Sequence, residues 1–430
     1  MAKRREVEPP HWIKLDNAAK IYPPSRSRSW AAMFRLSVTL TERVDPEILE
    51  KALAATVKRL PSFAYRLRRG VFWYYFDHLS GAPILQADVA NPLVAMDLAQ
   101  NDHFLFRVRY YERRIAVEFF HALTDGTGGL TFISTMTAEY LRLKYGCAIA
   151  AGGPVLDVRE RPAPEEIEDS FLKYARKAAL GRVEKSAYHV RGELGDPHLL
   201  RVTTGLVPVA ELTGKARACG VSVTVLIASV LIKTILTLQQ KELSPIRRRQ
   251  MVKVSVPVNL RPFYGARTMR NFASYVNVGV ESALGEYTLE EIMNHVKHQF
   301  GLEITEKRLN ARFSGNVNSE KLPIIRAMPL FIKSPFLKMM YLLQGDRYCS
   351  TTLSNLGRVV LPEPMRAYVS RMDFMLGAPG STPSVCGVIS QGDTVCITFS
   401  RLMREPALEH GFFTALIKLG IPVKVESNQR

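Results

Sequence analysis

The stretch Val117-Glu118-Phe119-Phe120-His121-Ala122-Leu123-Thr124-Asp125-Gly126-Thr127-Gly128-Gly129 decides how this chain is interpreted. An apolar run leads into His121, Asp125 follows four residues later, and glycines then open a segment with apolar residues at helical spacing. This order predicts a strand, a turn and a helix, with one imidazole at the point where the strand ends. Histidine is the side chain that exchanges a proton near neutral pH without further tuning. His121 is therefore the first candidate for a catalytic residue.

The composition predicts a large globular protein. The chain has 430 residues, of which 47% are hydrophobic, so it can bury a sizeable core, and we expect two lobes. Its five cysteines show no close pairing pattern, which predicts small core residues in a reducing compartment rather than disulfides or a zinc site. No apolar segment follows the basic start, so we expect no secretory signal and a cytoplasmic location.

The formal net charge of +18 points to anionic partners, which could be nucleic acid, an anionic membrane leaflet or phosphate-bearing substrates. The basic residues are dispersed, with local clusters at 66–69 and at Arg247, Arg248 and Arg249. No helix-turn-helix, RNP aromatic pair or zinc finger accompanies them, so we expect no nucleic-acid binding. A phosphorylated co-substrate or an anionic carrier protein accounts for the charge equally well.

Two apolar stretches come near the length of a membrane span. Residues 221–238 include several serines and threonines and a lysine, which predicts a buried helix of a large core. Residues 322–343 are interrupted by prolines and cations, which excludes a clean span. That pattern suits an amphipathic surface against a lipid or an acyl chain, and thus peripheral membrane contact. We favour the alternative, a kinked pair of core helices.

Strands and helices alternate in the first half of the chain. Residues 33–40 alternate with period two, as a half-buried strand does, and Asp45 and Pro46 then provide an N-cap and a first helical residue. That helix ends at Pro61. Further strands are predicted at 71–76, 104–111 and 115–120, followed by a helix that ends near Gly146. The pattern predicts a mixed α/β lobe over residues 1–148.

A surface linker over residues 149–170, rich in proline, glycine and acidic residues, precedes a second α/β lobe over 171–430. Helices are predicted at 209–219, at 222–238 and from about 288 onward. Strands are predicted at 200–207, 252–258, 274–280, 349–355, 369–374, 386–390 and 394–399. Two α/β lobes joined by a linker are the simplest architecture.

Five segments, in order, resemble one known family. They are the stretch around His121-x-x-x-Asp125-Gly126, the segment 212–229, the strand Val256-Pro257-Val258-Asn259-Leu260-Arg261 with the following Asn271-Phe272-Ala273-Ser274-Tyr275-Val276-Asn277, and Ser354-Asn355-Leu356-Gly357. The chain resembles the chloramphenicol acetyltransferase/condensation-domain superfamily over nearly its whole length. It looks most like the bacterial alcohol acetyltransferase-like and polyketide-associated acyltransferases.

Two features depart from the family pattern. Phe120 stands where condensation domains usually carry a second histidine, and that histidine is not the base. Asp373-Phe374-Met375-Leu376-Gly377 matches only part of the late motif of the plant branch, so we assign it no role.

The resemblance implies a fold, a reaction and partners. The fold would be two similar lobes with a tunnel between them. The reaction would move an acyl group from acyl-CoA or an acyl carrier protein to an alcohol, with no acyl-enzyme and no tightly bound cofactor.

The resemblance also implies roles for individual residues. His121 would be the general base, and Asp125 would point away from the substrate and pair with Arg261. Gly126 would be required by the backbone geometry of the turn. Asn355 and Ser354 are candidates to bind the oxyanion of the tetrahedral intermediate; we favour Asn355, since alternation lets only one face the tunnel. Polar residues that satisfy a turn are the competing interpretation.

Several alternatives stay open from the sequence. The same base would serve an amide-forming, condensation-type enzyme, and a catalytically inactive relative could bind acyl chains or carrier proteins. The motif around His121 would then be a hydrogen-bonded histidine and a helix-capping aspartate. We expect no catalytic cysteine and no metal, and we expect the only close histidine pair, His295 and His298, to lie on a solvated helix face. The glycines after Asp125 lack the lysine and spacing of a phosphate loop.

Overall fold

The computed structural model describes residues 9–26, 31–177, 184–196, 198–243, 250–340, 346–380 and 382–429. The basic cluster of Arg247, Arg248 and Arg249 lies outside these residues. The strands are β1 Trp12–Lys14, β2 Met33–Leu40, β3 Tyr65–Arg69, β4 Tyr74–His78, β5 Gln86–Ala87, β6 Phe106–Tyr111, β7 Arg114–Phe120, β8 Arg201–Pro208, β9 Val252–Asn259, β10 Ala273–Val280, β11 Thr351–Val359, β12 Val369–Leu376, β13 Ser384–Gln391, β14 Thr394–Arg401 and β15 Lys424–Ser427.

The helices alternate with these strands along the chain. They are α1 Tyr22–Ser25, α2 Pro46–Arg59, α3 Gly126–Tyr145, α4 Ser170–Tyr174, α5 Val209–Ala218, α6 Val223–Glu242, α7 Arg261–Tyr264, α8 Leu289–Glu303, α9 Glu306–Glu320, α10 Pro323–Ala327, α11 Leu330–Met340, α12 Glu363–Arg366 and α13 Ala407–Lys418. The predicted mixed α/β architecture is confirmed.

Five strands form the sheet that carries His121, in the order β12-β2-β7-β6-β5. The central strands β2, β7 and β6 pair antiparallel, and β2 runs from Met33 opposite Phe120 to Thr39 opposite Arg114. Helices α2 and α3 pack on each other, and α3 also packs on β2 and β7. Phe63, Phe119 and Phe132 meet in the core between them. This packing fixes the end of β7, and with it the position of His121.

The second lobe is built on a seven-stranded mixed sheet in the order β10-β9-β11-β13-β14-β8-β15. β11 runs parallel to both of its neighbours, β9 and β13, and the other pairs are antiparallel. Helix α6 packs on β9, α8 and α13 in the core of this lobe. By length and composition α6 could cross a membrane, but 67% of its apolar window is buried. The prediction of a buried helix there is confirmed.

A small third sheet, β1-β4-β3, ends in a tight hairpin. The Gly70 N–H donates to the carbonyl of Trp73 (3.0 Å), so Val71 and Phe72 form the tip of the β3–β4 turn. The predicted strand over 71–76 is wrong at its start, because the apolar pattern of the tip resembles that of a strand.

The segment 149–170 is only partly the surface linker that its composition predicts. Val155 and Ile167 are buried, and Glu166 makes a buried bidentate ion pair with Arg59 at 2.6 and 3.0 Å. The second lobe also contributes a strand to the first sheet: β12, from the range predicted for the second lobe, pairs with β2. The lobes are therefore joined by buried contacts as well as by the chain.

Candidate active site

His121 is the first residue after β7, where the sequence places it. Its backbone N–H donates to the carbonyl of Ala32 (2.8 Å), which continues the pairing of β2 with β7 by one residue. The imidazole stacks on Tyr22 with 4.4 Å between ring centroids, and it makes a T-shaped contact with Phe34 at a centroid distance of 5.2 Å. The residue is partly exposed, although its neighbours Phe120 and Ala122 are buried. The ring is thus held by aromatic contacts in a residue that stays partly exposed.

One nitrogen of the imidazole is engaged by Asn271. Nδ1 lies 3.2 Å from the amide oxygen Oδ1 of Asn271. The Nδ2 of the same amide faces two acceptors, the carbonyl of Ala122 at 3.4 Å and the Asp16 carboxylate at 3.5 Å. Because Nδ2 must donate to those acceptors, Oδ1 accepts from the ring. Nδ1 of His121 therefore carries the proton, and Nε2 is left as the acceptor.

The pKa of His121 is held below its usual value, chiefly because burial disfavours the charged imidazolium. The residue's own backbone carbonyl, the Asp125 carboxylate and Asn271 oppose that effect. The imidazole is consequently neutral at pH 7, the protonation state that a general base requires.

Asp16 supports the amide of Asn271 from the other side. Burial raises the pKa of Asp16 to about 6, against the opposing effect of Arg270, whose Nε lies 3.6 Å from the carboxylate. The other carboxylate oxygen accepts from the Ala19 N–H at 2.8 Å. A chain of contacts thus runs from Asp16 through Asn271 to His121.

Both carboxylate oxygens of Asp125 are hydrogen-bonded. Oδ1 accepts from the N–H groups of Thr127 and Gly128, both at 3.1 Å, and so caps α3. Oδ2 accepts from Nη1 of Arg261 at 2.9 Å and from the Phe272 N–H at 2.8 Å. Arg261 and these hydrogen bonds hold the pKa of Asp125 below its usual range despite burial. The predicted pairing of Asp125 with Arg261 is present.

The Asp125–Arg261 pair also positions the loop that carries Asn271. Arg261 donates from Nε to the carbonyl of Thr268 (2.8 Å) and from Nη2 to that of Arg270 (2.7 Å). The bond from Phe272 to Asp125 holds the other side of Asn271. The aspartate of the motif is therefore linked to the imidazole through the second lobe.

The reason predicted for Gly126 is wrong. Gly126 is the first residue of α3, and an added Cβ would meet only the flexible side chain of Leu356, at 2.7 Å from Cδ2. The crowded position is Gly128, where a Cβ would collide with the Thr124 hydroxyl and the backbone carbonyl of Met269. Close approach of the second lobe, rather than the turn geometry, requires glycine in this motif.

The predicted oxyanion residues lie on β11, which approaches the start of α3 through Leu356. Asn355 donates from Nδ2 to Oγ1 of Thr224 (3.0 Å) and accepts from the Gly357 N–H (2.8 Å). Ser354 is half-buried on the same strand. The bond from the Gly357 N–H to Asn355 is the kind of contact expected if these polar residues only satisfy a turn. The role of Asn355 and Ser354 in binding the oxyanion stays a prediction.

Three residues near the imidazole were not found from the sequence: Asp16, Tyr22 and Asn271. Asn271 lies in a segment that was singled out, but nothing in the sequence distinguishes its amide from that of Asn277. Asp16 follows the short strand β1 and Tyr22 begins the short helix α1, and these elements are too short for strand or helical periodicity to provide a signal.

A cavity of about 690 Å³ borders the same N-terminal segment. Leu15 and Lys20 line it, whereas their neighbours Asp16 and Tyr22 contact the residues around His121. Aromatic side chains form much of the remaining wall, including Trp12, Phe72 and Trp73. The tunnel through the protein stays a prediction.

The other nucleophilic or titratable candidates lie elsewhere. Cys349, Cys386 and Cys396 are buried. Burial raises the pKa of Cys386 and Cys396, so the thiols of these two residues stay protonated. His295 and His298 are exposed on α8, as predicted for a solvated face.

Comparisons with known proteins find similarity in structure alone. No protein-family model and no curated protein matches the chain. Polyketide synthase associated protein 5 from Mycobacterium tuberculosis matches with a TM-score of 0.59 and 11% identity, over 95% of this chain and 97% of that one. F. sporotrichioides TRI101, complexed with coenzyme A and T-2, matches with a TM-score of 0.63 and 12% identity, over 97% and 99%.

A third similar structure is the starter condensation domain of rhizomide synthetase RzmA, as an R148A mutant in complex with C8-CoA. It matches with a TM-score of 0.60 and 14% identity, over 95% of this chain and 94% of that one. Identities this low show similarity of fold alone, and the resemblance predicted from the five segments is confirmed at that level. The chain therefore shares the fold of these acetyltransferase and condensation-domain structures.

Proposed function

We propose that the protein transfers an acyl group from a coenzyme A thioester to an alcohol, with His121 as the general base. One observation carries this proposal. The imidazole is partly exposed, uncharged at neutral pH, and held with its proton on Nδ1 by Asn271, so that Nε2 is available as an acceptor. A histidine with a purely structural role has no need of a free, accessible nitrogen.

The reaction would proceed in two steps without an acyl-enzyme. Nε2 of His121 accepts the hydroxyl proton while the oxygen of the alcohol bonds to the thioester carbon, which forms a tetrahedral oxyanion. The carbon–sulfur bond then breaks, and the leaving thiolate takes the proton back from the imidazolium. The products are an ester and free coenzyme A.

The oxyanion requires hydrogen-bond donors, and we propose Asn355 with Ser354 for this role. Both lie on β11, the strand that carries Leu356 to the start of α3. Removing one such donor from a transferase typically costs 10²–10³-fold in kcat, roughly 3–4 kcal/mol. Asn355→Ala should therefore reduce kcat far more than KM.

The fold and the net charge both support a coenzyme A thioester as the acyl donor. Proteins of this fold have been solved with coenzyme A and with C8-CoA bound. The net charge of +18 would attract the phosphates of coenzyme A, or equally an acidic carrier protein. We take acyl-CoA as the donor, with a carrier-bound acyl group as the alternative.

The test is thiol release from acyl-CoA in the presence of a panel of alcohols and amines, with products identified by mass spectrometry. We expect an ester product and a rate that falls about 10²–10⁴-fold in His121→Ala. His295→Ala, which removes an exposed imidazole from α8, is the matched control and should keep the full rate.

Two outcomes would replace this proposal by an alternative. His121-dependent thiol release with amines alone would identify an amide-forming enzyme. Tight acyl-CoA binding without thiol release in any combination would identify an inactive, acyl-binding relative.

A further inference from the structure

Helix α11 (Leu330–Met340) carries its large apolar side chains on the solvent side. Leu330 and Lys333 are buried, whereas Phe331, Ile332 and Phe336 are 66%, 49% and 47% exposed. A surface helix of a soluble protein normally has the opposite arrangement. The prediction of a kinked pair of core helices is therefore wrong in its burial, although the chain does break between α10 and α11. Residues 341–343 of the predicted stretch lie outside the described residues.

Apolar side chains of the β3–β4 hairpin extend this surface. Val71 and Phe72, at its tip, are 71% and 46% exposed, and the Leu330 N–H donates to the carbonyl of Val71 at 2.7 Å. Lys333 donates to the carbonyl of Phe72 at 3.0 Å, and its ammonium lies 3.3 Å from the ring centroid of Trp73. The hairpin tip and α11 are therefore in direct contact. Their exposed apolar side chains, together with Ile324 of the preceding helix α10, are called the outer face: Val71, Phe72, Ile324, Phe331, Ile332 and Phe336.

Cations surround this outer face. Lys321, Arg326 and Lys338 are exposed, and the first two line the same cavity as Phe72. The acidic residue of that cavity, Glu320, is paired with Lys20 and also accepts from the Asn17 amide at 2.6 Å. The rim of the outer face is thus positively charged.

We propose that the outer face docks on an anionic lipid bilayer. Protruding phenylalanine and aliphatic side chains would enter the boundary between headgroups and acyl chains, while the rim cations face the lipid phosphates. Exposed apolar surface of this kind is costly in water and marks an interaction site.

The charge of the rim argues against a second copy of this chain as the occupant. A symmetric dimer through the outer face would place Lys321, Arg326 and Lys338 of one copy near the same three residues of the other. Like charges at such an interface oppose association, whereas an anionic bilayer complements them.

The outer face lies close to the candidate base. Helix α11 packs on α1, and Tyr22 of α1 stacks on the imidazole of His121. This step rests on the proposed function: docking would let an apolar alcohol that is held in the bilayer reach the site without passing through water.

The docking surface is tested by flotation of the full chain with phosphatidylcholine vesicles that contain none or about a third of phosphatidylglycerol. We expect the protein to float with the anionic vesicles, to float less with the neutral ones, and to be released by salt. Replacing Lys321, Arg326 and Lys338 by Gln should weaken anionic binding about a hundredfold, since each cation near such a surface contributes about fivefold.

A double variant tests the apolar contribution. Phe331→Glu with Phe336→Glu should abolish flotation. Leu284→Glu with Ile417→Glu is the matched control, since those side chains are 77% and 57% exposed on other elements. The control should float like the wild type, apart from the weaker binding to anionic vesicles that its two added negative charges cause.

Three results would overturn the proposal: a wild type that does not float with anionic vesicles, a control that loses as much binding as the test variant, or a stable dimer that the Phe331/Phe336 variant dissociates. None of these results depends on turnover, so they are separate from a failure of the proposed acyl transfer. If both proposals hold, the Phe331/Phe336 variant keeps the wild-type rate on a water-soluble alcohol and loses it on a vesicle-held one.

Discussion

At the scale of single residues, the site depends on which nitrogen of one imidazole carries the proton. Asn271 determines this, because its own Nδ2 is committed to the carbonyl of Ala122 and to Asp16. The pairing of Asp125 with Arg261 acts one step further away, since it holds the loop on which Asn271 lies. The aspartate of the motif is thus connected to the base through the other lobe.

We predict that Asn271→Leu lowers kcat for thiol release about 10–100-fold. The substitution removes the acceptor that holds the proton on Nδ1 of His121, at a cost of roughly 1–3 kcal/mol. Asn310→Leu is the control, because that amide is equally buried and donates to the Tyr174 carbonyl, away from His121. Steady-state kinetics and thermal unfolding of both variants are the measurements. An equal loss of kcat in the control would show that Asn271 matters only for stability.

Asp16 predicts a dependence of stability on pH. Its folded-state pKa of about 6 exceeds the usual 3.8, so the folded state binds the proton more tightly than the unfolded chain. Its contribution is present below about pH 4 and is lost as the pH rises to about 6. Relative to Asp16→Asn, the free energy of unfolding of the wild type should fall by on the order of 3 kcal/mol over that pH range, measured by urea unfolding. A difference that does not change with pH would contradict the raised pKa.

At the scale of elements, the strands and helices with strong local signals were predictable. The period-two pattern predicted β2 at its observed bounds, and Asp45 and Pro46 predicted the start of α2. Contacts between distant residues were not predictable: Asn271 is 150 residues from His121 and 255 from Asp16. The exposure of α11 was considered but not favoured, because apolar side chains at helical spacing look the same in sequence whether they are buried or exposed.

The start of α3 provides a matched comparison of two helix caps. Asp125 and Asp45 each cap a helix by accepting two backbone N–H groups, but only Asp125 also accepts from the Phe272 N–H and pairs with Arg261. Asp125→Ala should lower the free energy of unfolding by about 3–5 kcal/mol. Asp45→Ala should lower it by about 1 kcal/mol. Chemical denaturation of both variants measures these free energies of unfolding. Equal decreases would mean that the contacts of Asp125 with Arg261 and Phe272 add nothing to its effect as a cap.

At the scale of the whole molecule, the two lobes depend on each other. Strand β12 completes the sheet that carries His121, and its Phe374 is buried against Phe34, with ring centroids 6.2 Å apart. The buried pair of Arg59 and Glu166 adds a second connection.

We therefore predict that residues 1–177 expressed alone do not fold, because the edge of β2 is left without β12 and its apolar side chains are exposed. Co-expression with residues 178–430 should restore a soluble complex. Circular dichroism with thermal unfolding is the measurement. A cooperative transition of the isolated fragment would show that the first lobe is independent.

The central claim is that His121 is the base for acyl transfer, and the rate of thiol release against pH tests it most directly. Because burial keeps the pKa of His121 below its usual value of 6.5, the rate should be constant above that pH and fall below it. The same fall should persist in Asp16→Asn, and His121→Ala should have little activity at any pH. Loss of the pH dependence in Asp16→Asn, or a near-normal rate in His121→Ala, would contradict the account.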